Sequence, residues 1–305
     1  MNRANFGLIK LVTYIPNIGE QTKRLGALLE NSIIDLCSAD KSIPNDMRSF
    51  LSSTSTDKWS KVISVINNIN NRRIPIENCK IKAPIEPGKI ICIGLNYKEH
   101  AIEAKMAIPK EPIVFSKFDN AICGPNDSII KPIESDEVDY EVELVVVIGK
   151  QAKNVSESDA LKYVAGYTVG NDISARDWQL RKNNSQWLLG KTFDTFAPIG
   201  PSIVINPDVA ALTDDTFFDP NNLSIKCTLN GQVVQNSTTK EFIFNIQTVV
   251  SYLSNLFTLN PGDIIFTGTP SGVGFIRKPD PIFLKSGDVI KCEIEELGTL
   301  VNNVK

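Results

Sequence analysis

The sequence lacks several features that would assign it to a familiar class of protein. It has one histidine in 305 residues, and its net charge is only −3 with 22% of the residues charged. Nucleic-acid-binding proteins and proteins of anionic membrane surfaces normally carry a clear positive excess. The longest apolar run, residues 144–148, is far shorter than the about 20 residues that a transmembrane helix needs. We therefore expect no nucleic-acid partner and no membrane partner.

The spacing of the cysteines predicts neither a zinc site nor a disulfide framework. The six cysteines are widely separated, and none forms a Cys-x-x-Cys pair or a zinc-ligand spacing. We interpret them as reduced packing residues. No charged and then apolar signal peptide opens the chain, so export is not expected. Arg3 and Lys10 precede the first acid, Glu20, a composition that also occurs in cleaved organelle signals.

What the sequence does contain is a strand-rich pattern in two parts. The prolines and glycine of residues 84–88 predict a boundary near residue 82. We predict a small N-terminal α+β domain over residues 1–82 and a larger catalytic domain over residues 83–305. The predicted strands cover residues 8–14, 24–29, 32–36, 89–93, 113–116, 141–148, 164–171, 223–229, 263–267 and 289–295. The predicted helices cover residues 57–70, 156–162 and 245–256.

The order of these elements decides the fold class. Strands and helices do not alternate regularly enough for a doubly wound parallel sheet. No repeat of 20 to 50 residues is evident. We therefore predict a β-rich α+β fold.

Acidic side chains interrupt one of the predicted core strands. Residues 139–148 read DYEVELVVVI, and a buried charge is costly unless a partner compensates it. Glu141 and Glu143 are two residues apart, so on a strand they share a face at a distance of roughly 7 Å, with Asp139 beyond them. Two converging carboxylates need protons, cationic partners or a divalent cation. The alternative is an edge strand with a solvated acidic face.

A third acid ends another predicted core strand. Asp172 directly follows the apolar stretch at residues 164–171. With Glu141 and Glu143 it offers three hard oxygen ligands, which suit Mg²⁺, with Mn²⁺ or Ca²⁺ as alternatives. The alternative is that Asp172 only caps the following turn and pairs with Arg176.

The single histidine is a candidate general base. His100 follows the predicted strand at residues 89–93, and Glu103 comes three residues later. On a helix these side chains share a face, so the carboxylate could orient and support the imidazole. An exposed surface histidine is the alternative. The next segment, residues 105–112, is polar and contains prolines, as a mobile lid would be.

Two further segments carry glycines. Residues 190–196 read GKTFDTF, with Lys191 beside small residues, and residues 267–274 read TGTPSGVG after a predicted strand. The second segment is no phosphate loop, because it lacks the Gly-Lys-Ser/Thr ending and a clear following helix. A backbone-lined turn that closes a small-anion pocket, with Lys191 as counter-charge, stays open.

Together these motifs resemble the fumarylacetoacetate hydrolase family over residues 85–300. Four runs carry the resemblance in family order: DYEVEL at residues 139–144, NDISARDWQ at 171–179, GKTFDTFAP at 190–198 and TGTPSGVG at 267–274. The resemblance implies a mixed β-sandwich roll with a smaller N-terminal domain, and a homodimer.

The same resemblance implies the roles of individual residues and no organic cofactor. Lys191 would both contact the substrate and act in catalysis. The implied residues are Glu141, Glu143 and Asp172 for the metal, His100 and Glu103 for a lid pair that orders over bound substrate, and Gln179, Lys191 and Thr269 for substrate contacts.

Family members act on 2-oxo or 1,3-dicarbonyl acids. The N-terminal unit and residues 185–191, SQWLLGK, resemble a branch that implies mitochondrial oxaloacetate keto-enol tautomerase activity. Fumarylacetoacetase proper has a further acidic metal ligand shortly before its histidine, where this chain reads CIGL at residues 92–95. We therefore do not expect fumarylacetoacetase activity.

The residue chemistry is compatible with more than one reaction of such acids. A hard cation that binds a 2-oxo acid favours its enolate, and proton transfer by His100 then gives tautomerisation. The same enolate is the leaving group of carbon–carbon hydrolysis and of decarboxylation. We predict a magnesium-dependent oxaloacetate tautomerase in mitochondria, with a cytoplasmic location as the alternative. The alternative activities are acylpyruvate hydrolase and oxaloacetate decarboxylase, and a rival of another class is a metal-binding scaffold without turnover.

Overall fold

The computed structural model describes residues 8–17, 21–206 and 218–305. The strands are β1 (Lys10–Pro16), β2 (Arg24–Leu29), β3 (Ser32–Asp35), β4 (Arg73–Pro75), β5 (Cys79–Ile81), β6 (Ile90–Gly94), β7 (Ile113–Lys117), β8 (Ile122–Cys123), β9 (Val138–Asp139), β10 (Val142–Ile148), β11 (Val164–Asn171), β12 (Ser174–Ala175), β13 (Ala197–Ile205), β14 (Ser224–Leu229), β15 (Gln232–Thr238), β16 (Ile264–Phe266), β17 (Val289–Ile294) and β18 (Gly298–Asn303). The α-helices are α1 (Leu36–Ala39), α2 (Met47–Ser52), α3 (Lys58–Asn67), α4 (Lys98–Glu103), α5 (Arg176–Leu180), α6 (Leu188–Lys191) and α7 (Ile246–Leu256).

A large mixed sheet forms the frame of the molecule. Its strands run in the order β4-β3-β2-β1-β13-β11-β10-β16-β6-β7, with β5 paired to β1 and β8 to β13. The pairs β16–β6 and β13–β8 are parallel, and the other pairs are antiparallel. β10 and β11 lie near the centre and are buried on both faces, which explains their nearly continuous apolar sequences.

A second, antiparallel sheet covers one face of the first. Its order is β15-β14-β17-β18, and β14 and β17 pack against β10 and β11. Every second residue of β14 and β17 is buried, as expected for strands with one face in the core. The two layers confirm the predicted β-rich α+β fold of the β-sandwich roll type.

The N-terminal strands extend the large sheet. β1 pairs with β13 through Lys10 opposite Val204 and Leu11 opposite Ile203. One apolar core includes residues from both sides of residue 82, such as Phe50 of α2 and Val145 of β10. The division into residues 1–82 and 83–305 stays a prediction.

Several element predictions need correction. Residues predicted as a helix at 156–162 form a 3-10 helix, Glu157–Tyr163, a geometry common in short connections. The Tyr163 carbonyl at its end accepts the amides of Gly149 and Lys150. The sequence patterns missed β13, whose apolar pattern is interrupted by Gly200 and Pro201, the partly polar strands β15 and β18, and short strands such as β4 and β5. None of the helices in the described ranges has the length and apolar character needed to span a lipid bilayer.

Candidate active site

The pairing of β10 with β11 brings the three predicted acids together. Val142 lies opposite Asn171, so the residue before β10, Glu141, meets the residue after β11, Asp172. The Asp172 amide donates to the Glu141 carbonyl at 2.8 Å. Carboxylate oxygens of Glu141, Glu143 and Asp172 lie within 4.8 Å of one another, and all three residues are buried.

The predicted strand starts one residue too early. Glu141 precedes β10 because its amide N–H donates at 2.9 Å to the side chain of Asn171 and not to a backbone carbonyl of the paired strand. Glu141 and Glu143 nevertheless present carboxylate oxygens to the same cluster, as their spacing predicts.

Two of the three acids already have cationic partners. Glu141 contacts Arg176 Nη2 at 2.7 Å and Lys191 Nζ at 2.9 Å. Asp172 contacts Lys191 Nζ at 2.7 Å and Lys117 Nζ at 2.6 Å. Burial alone would raise the pKa of Glu141, but Lys191 and Arg176 lower it to about 2. The fold therefore holds Glu141 ionised.

Glu143 is different. Its Oε2 accepts the Gly268 amide at 2.7 Å, and no lysine or arginine in the described ranges forms an ion pair with it. Burial, together with the charges of Asp172 and Glu141, raises the pKa of Glu143 well above its usual value. A cation in contact with all three carboxylates would relieve this penalty, and three carboxylates are the oxygen donors that hard divalent cations prefer. The residues present therefore fit a divalent metal.

Arg176 does not pair with Asp172, so that alternative is wrong. Its guanidinium contacts Asp139 Oδ2 and Glu141 Oε1, each at 2.7 Å from Nη2. It faces these groups because α5 starts at Arg176, directly after β12 pairs with β9, the strand that contains Asp139. The positive charge of Arg176 thus compensates the negative charges of Asp139 and Glu141.

Sequence reasoning missed Lys117 completely. Its side chain is fully buried at the end of β7. Besides Asp172, its ammonium contacts the carbonyl oxygens of Ile173, Lys191 and Phe196 at 2.6–2.9 Å. The sequence did contain a signal for Lys117, because a charged side chain in an apolar strand needs a partner when it is buried. The same argument identified the acids of the site.

His100 and Glu103 lie on α4, as their proposed pairing requires. His100 Nδ1 is 3.7 Å from Glu103 Oε2, and that carboxylate also accepts the Gly272 amide at 2.9 Å. Burial would raise the pKa of Glu103, but His100 and the Gly272 amide hold it below its usual value. A negative charge therefore stands beside the imidazole. Residues 105–112, the predicted lid, contain no helix or strand.

The glycine-rich segment binds carboxylates of the site itself. The amides of Gly268, Gly272 and Gly274 donate to Glu143, Glu103 and Asp139, respectively. At Gly268 the backbone has φ +97°, and a Cβ would lie 2.7 Å from the Cβ of Asn96, so this turn requires glycine. These three amides are therefore not available to bind a small anion. Lys191, the predicted counter-charge of such an anion, forms ion pairs with Glu141 and Asp172.

Gln179 and Thr269, the other residues that we predict to contact substrate, also lie in this site. Gln179 Oε1 accepts from Arg176 Nη1 at 2.8 Å, so its Nε2 group is the donor that remains for a ligand. The Thr269 hydroxyl donates to the Val142 carbonyl at 2.9 Å and accepts from Gln235 at 2.8 Å.

One cavity of about 110 Å³ connects these groups. Pockets for drug-sized ligands have volumes of roughly 300–1,000 Å³, so this cavity suits a much smaller molecule. Seven of the eight predicted site residues line it, and Glu103 stands behind His100. The lining consists of a polar wall with His100, Glu141, Glu143, Asp172, Arg176, Gln179, Lys191 and Thr269, and an apolar wall that includes Gly94, Phe115, Leu180, Trp187, Val273 and Phe275.

Comparison with known proteins identifies the family. The profile of the family described as fumarylacetoacetate hydrolase, C-terminal, matches residues 89–305, which is more than half of the chain. The chain belongs to the fumarylacetoacetate hydrolase family. The chain is 95% identical, over the full length of both proteins, to the fumarylacetoacetate hydrolase domain-containing protein 2 homolog of Dictyostelium discoideum.

More distant members of the family agree in sequence and structure. The Xenopus laevis protein named oxaloacetate tautomerase fahd2, mitochondrial, is 49% identical over 92% of this chain and 86% of its own length. The solved structure of a fumarylacetoacetate hydrolase from Exiguobacterium antarcticum superposes with a TM-score of 0.81 at 30% identity, covering 97% of this chain and 99% of that one.

Proposed function

We propose that this protein is a metal-dependent enzyme of small enolisable 2-oxo dicarboxylic acids, and that oxaloacetate keto-enol tautomerisation is its main reaction. The observation that carries the proposal is Glu143, a buried carboxylate that forms no ion pair with a lysine or arginine of the described residues, in an acid cluster that opens on a small cavity. The name of the Xenopus laevis relative, oxaloacetate tautomerase, supports the choice of substrate and reaction.

Glu141, Glu143 and Asp172 would hold the metal, for which we propose Mg²⁺, with Mn²⁺ or Ca²⁺ as alternatives. Such a cation would polarise the 2-oxo group and acidify the neighbouring C3 protons. The surrounding buried charges favour an anionic ligand, because a divalent ion leaves one positive charge in excess. These charges are four carboxylates and three cations: Asp139, Glu141, Glu143, Asp172, Lys117, Arg176 and Lys191.

The protein's own groups would move the proton and hold the substrate. His100 lines the cavity and would take or return the C3 proton, while Glu103 stabilises the protonated imidazole. Lys191 places a positive charge where the enolate oxygen develops negative charge. The Nε2 group of Gln179 would donate to a substrate carboxylate. The apolar wall would limit access of water.

The test follows the enol absorbance of oxaloacetate and the release of pyruvate in parallel, using purified protein with Mg²⁺. We expect rapid loss of the enol signal without matching pyruvate release, and loss of activity in EDTA. Substitution His100→Ala should slow the reaction by roughly 10²–10⁴-fold, whereas Lys98→Ala, an exposed position on the same helix, should not.

Other outcomes of this experiment identify the other candidate functions. Pyruvate release as fast as enol loss would indicate oxaloacetate decarboxylase, and cleavage of acylpyruvates in preference to oxaloacetate would indicate acylpyruvate hydrolase. Metal binding without turnover of any 2-oxo acid would indicate a scaffold and contradict the proposal.

We further propose that the protein is mitochondrial and, as its resemblance to the family implies, a homodimer. The Xenopus laevis relative is named mitochondrial, and Arg3 and Lys10 precede the first acid, Glu20; Arg3 and Glu20 lie outside the described residues. Fractionation of cells that express the tagged protein would test the location against the cytoplasmic alternative. Light scattering would measure the oligomeric state.

A further inference from the structure

One residue of the apolar wall has contacts that suggest a specific task. Trp187 directly precedes α6, is half-buried and lines the cavity. Its ring packs edge-to-face on Phe115, with 5.4 Å between ring centroids. A Cβ on Gly94 would lie 2.6 Å from Trp187 Cζ3. The indole thus occupies space that is available only because residue 94 has no side chain.

The indole is connected to the reacting end of the cavity through Phe115. The Lys191 ammonium, which contacts Glu141 and Asp172, lies 5.0 Å from the centre of the Phe115 ring. Phe115 therefore contacts Lys191 and also Trp187. Trp187 thus forms part of the cavity wall next to Phe115 and is itself half-buried.

We propose that Trp187 determines substrate length, a specificity role that rests on the proposed function. The indole closes a cavity of about 110 Å³ and so favours short acids such as oxaloacetate. Loss of the indole opens the wall to solvent and admits 2-oxo acids with an alkyl extension. A pocket that accepts a methylene typically changes the preference between two substrates by about tenfold or more.

The experiment compares three substrates that all have an enol absorbance: oxaloacetate, acetylpyruvate and 2,4-dioxoheptanoate, which is two methylenes longer than acetylpyruvate. In Trp187→Ala, the ratio of kcat/KM for 2,4-dioxoheptanoate to that for oxaloacetate should rise at least tenfold. Trp187→Phe should give an intermediate ratio. Leu189→Ala is the matched control, because Leu189 lies on α6, is exposed and does not line the cavity; its ratio should stay at the wild-type value.

A double substitution tests the contact itself. Gly94→Ala alone should lower kcat/KM for oxaloacetate, because the added methyl group displaces the indole. In the Trp187→Ala background the same change should have no further effect. Equal effects of Gly94→Ala in both backgrounds would contradict the assignment.

Binding measurements separate this inference from the proposed function. Calorimetric titration of the Mn²⁺-loaded proteins should show that Trp187→Ala strengthens binding of 2,4-dioxoheptanoate and leaves binding of oxalate unchanged. A wild-type protein without turnover of any of the three substrates would overturn the proposed function. The affinities for 2,4-dioxoheptanoate and oxalate would still test whether Trp187 limits ligand length. An active wild type whose substrate ratio and relative affinities are unchanged in Trp187→Ala and Trp187→Phe would overturn the role of Trp187.

Discussion

The two glutamates of the acid cluster have the same side chain, but their surroundings shift their pKa values in opposite directions. Glu141 has two cationic partners, Arg176 and Lys191, and a pKa lowered to about 2. Glu143 has an amide donor, Gly268, and a raised pKa caused by burial and by its acidic neighbours. The charge of Glu141 therefore stabilises the fold, whereas the charge of Glu143 opposes it in the absence of a metal.

Neutralising each glutamate in turn should separate these two effects. We expect Glu143→Gln to abolish Mn²⁺ binding measured by calorimetry and to leave the metal-free protein as stable as wild type or more stable. We expect Glu141→Gln to lower the free energy of unfolding by about 3–5 kcal/mol, because it leaves buried cations without their partner. Urea denaturation of the metal-free proteins measures both. Equal destabilisation by the two substitutions would mean that Glu143 is structural.

The His100–Glu103 pair should affect turnover and not metal binding. Glu103→Gln removes the negative charge beside the imidazole while keeping a side chain of similar size. We expect a decrease in kcat, smaller than the roughly 10²–10⁴-fold loss for His100→Ala. The double variant should be no slower than His100→Ala, because Glu103 acts through the imidazole. Multiplied losses in the double variant, or a loss of Mn²⁺ affinity, would show that Glu103 acts independently.

At the scale of elements, apolar periodicity predicted the core strands well and the polar or interrupted strands poorly. The bounds of β2 and β11 agree with prediction to the residue, whereas β13 and β15 were missed. The acids of the site were predictable because Glu143 lies within a buried apolar strand and Glu141 and Asp172 adjoin one. The partners of these acids were not, because Arg176 and Lys117 approach them only after β10, β11 and β7 have taken their places in the large sheet.

Lys117 shows what such a hidden partner contributes. In Lys117→Met, Asp172 loses a cation, and three buried carbonyl groups lose a donor. We expect the free energy of unfolding to fall by about 3–5 kcal/mol in urea denaturation. Lys226→Met is the control, because the pair of Lys226 with Glu293 is partly exposed to solvent at the surface and should contribute less than about 1 kcal/mol. Similar effects of the two substitutions would contradict a structural role for the buried lysine.

Asp35 connects the N-terminal elements and should make their stability depend on pH. It caps α1 by accepting the Ser38 amide, and it also accepts from Arg24 and the Tyr14 hydroxyl. Burial would raise its pKa, but these bonds, with Arg24 foremost, hold the pKa below its usual 3.8. A carboxyl with a lowered folded-state pKa stabilises the protein above its unfolded pKa, and this stabilisation is lost as the pH falls through the folded pKa.

Asp35→Asn tests this dependence, because asparagine keeps the helix cap but removes the charge. At pH 7 we expect the variant to be less stable than wild type by about 2–3 kcal/mol, the typical contribution of hydrogen bonds to a charged group. The difference should shrink progressively below pH 3.8. Urea denaturation at pH 7 and at pH 3 measures it, and a difference that does not change with pH would exclude the ionised carboxylate as the cause.

At the scale of the whole molecule, the large sheet connects the two proposed domains. β1 continues it through β13, which pairs with β11 beside the acid cluster. The acid cluster is therefore two strands away from the N-terminal unit within one hydrogen-bonded sheet. If residues 1–82 and 83–305 unfold together, stabilisation of the site must reach the N-terminal helices.

Metal binding should then raise one common unfolding temperature. A ligand at 100 times its Kd stabilises the folded state by about 2.7 kcal/mol. Trp59 lies on α3 in the N-terminal unit, and Trp178 lies on α5 next to Gln179. In a Trp187→Phe background, which removes the third tryptophan of the chain, variants that retain only Trp59 or only Trp178 report on each unit by fluorescence. We expect both fluorescence transitions to shift equally when Mg²⁺ is added, and neither to shift in the Glu143→Gln background. A Trp59 transition that stays fixed while the Trp178 transition rises would show that residues 1–82 unfold as an independent domain.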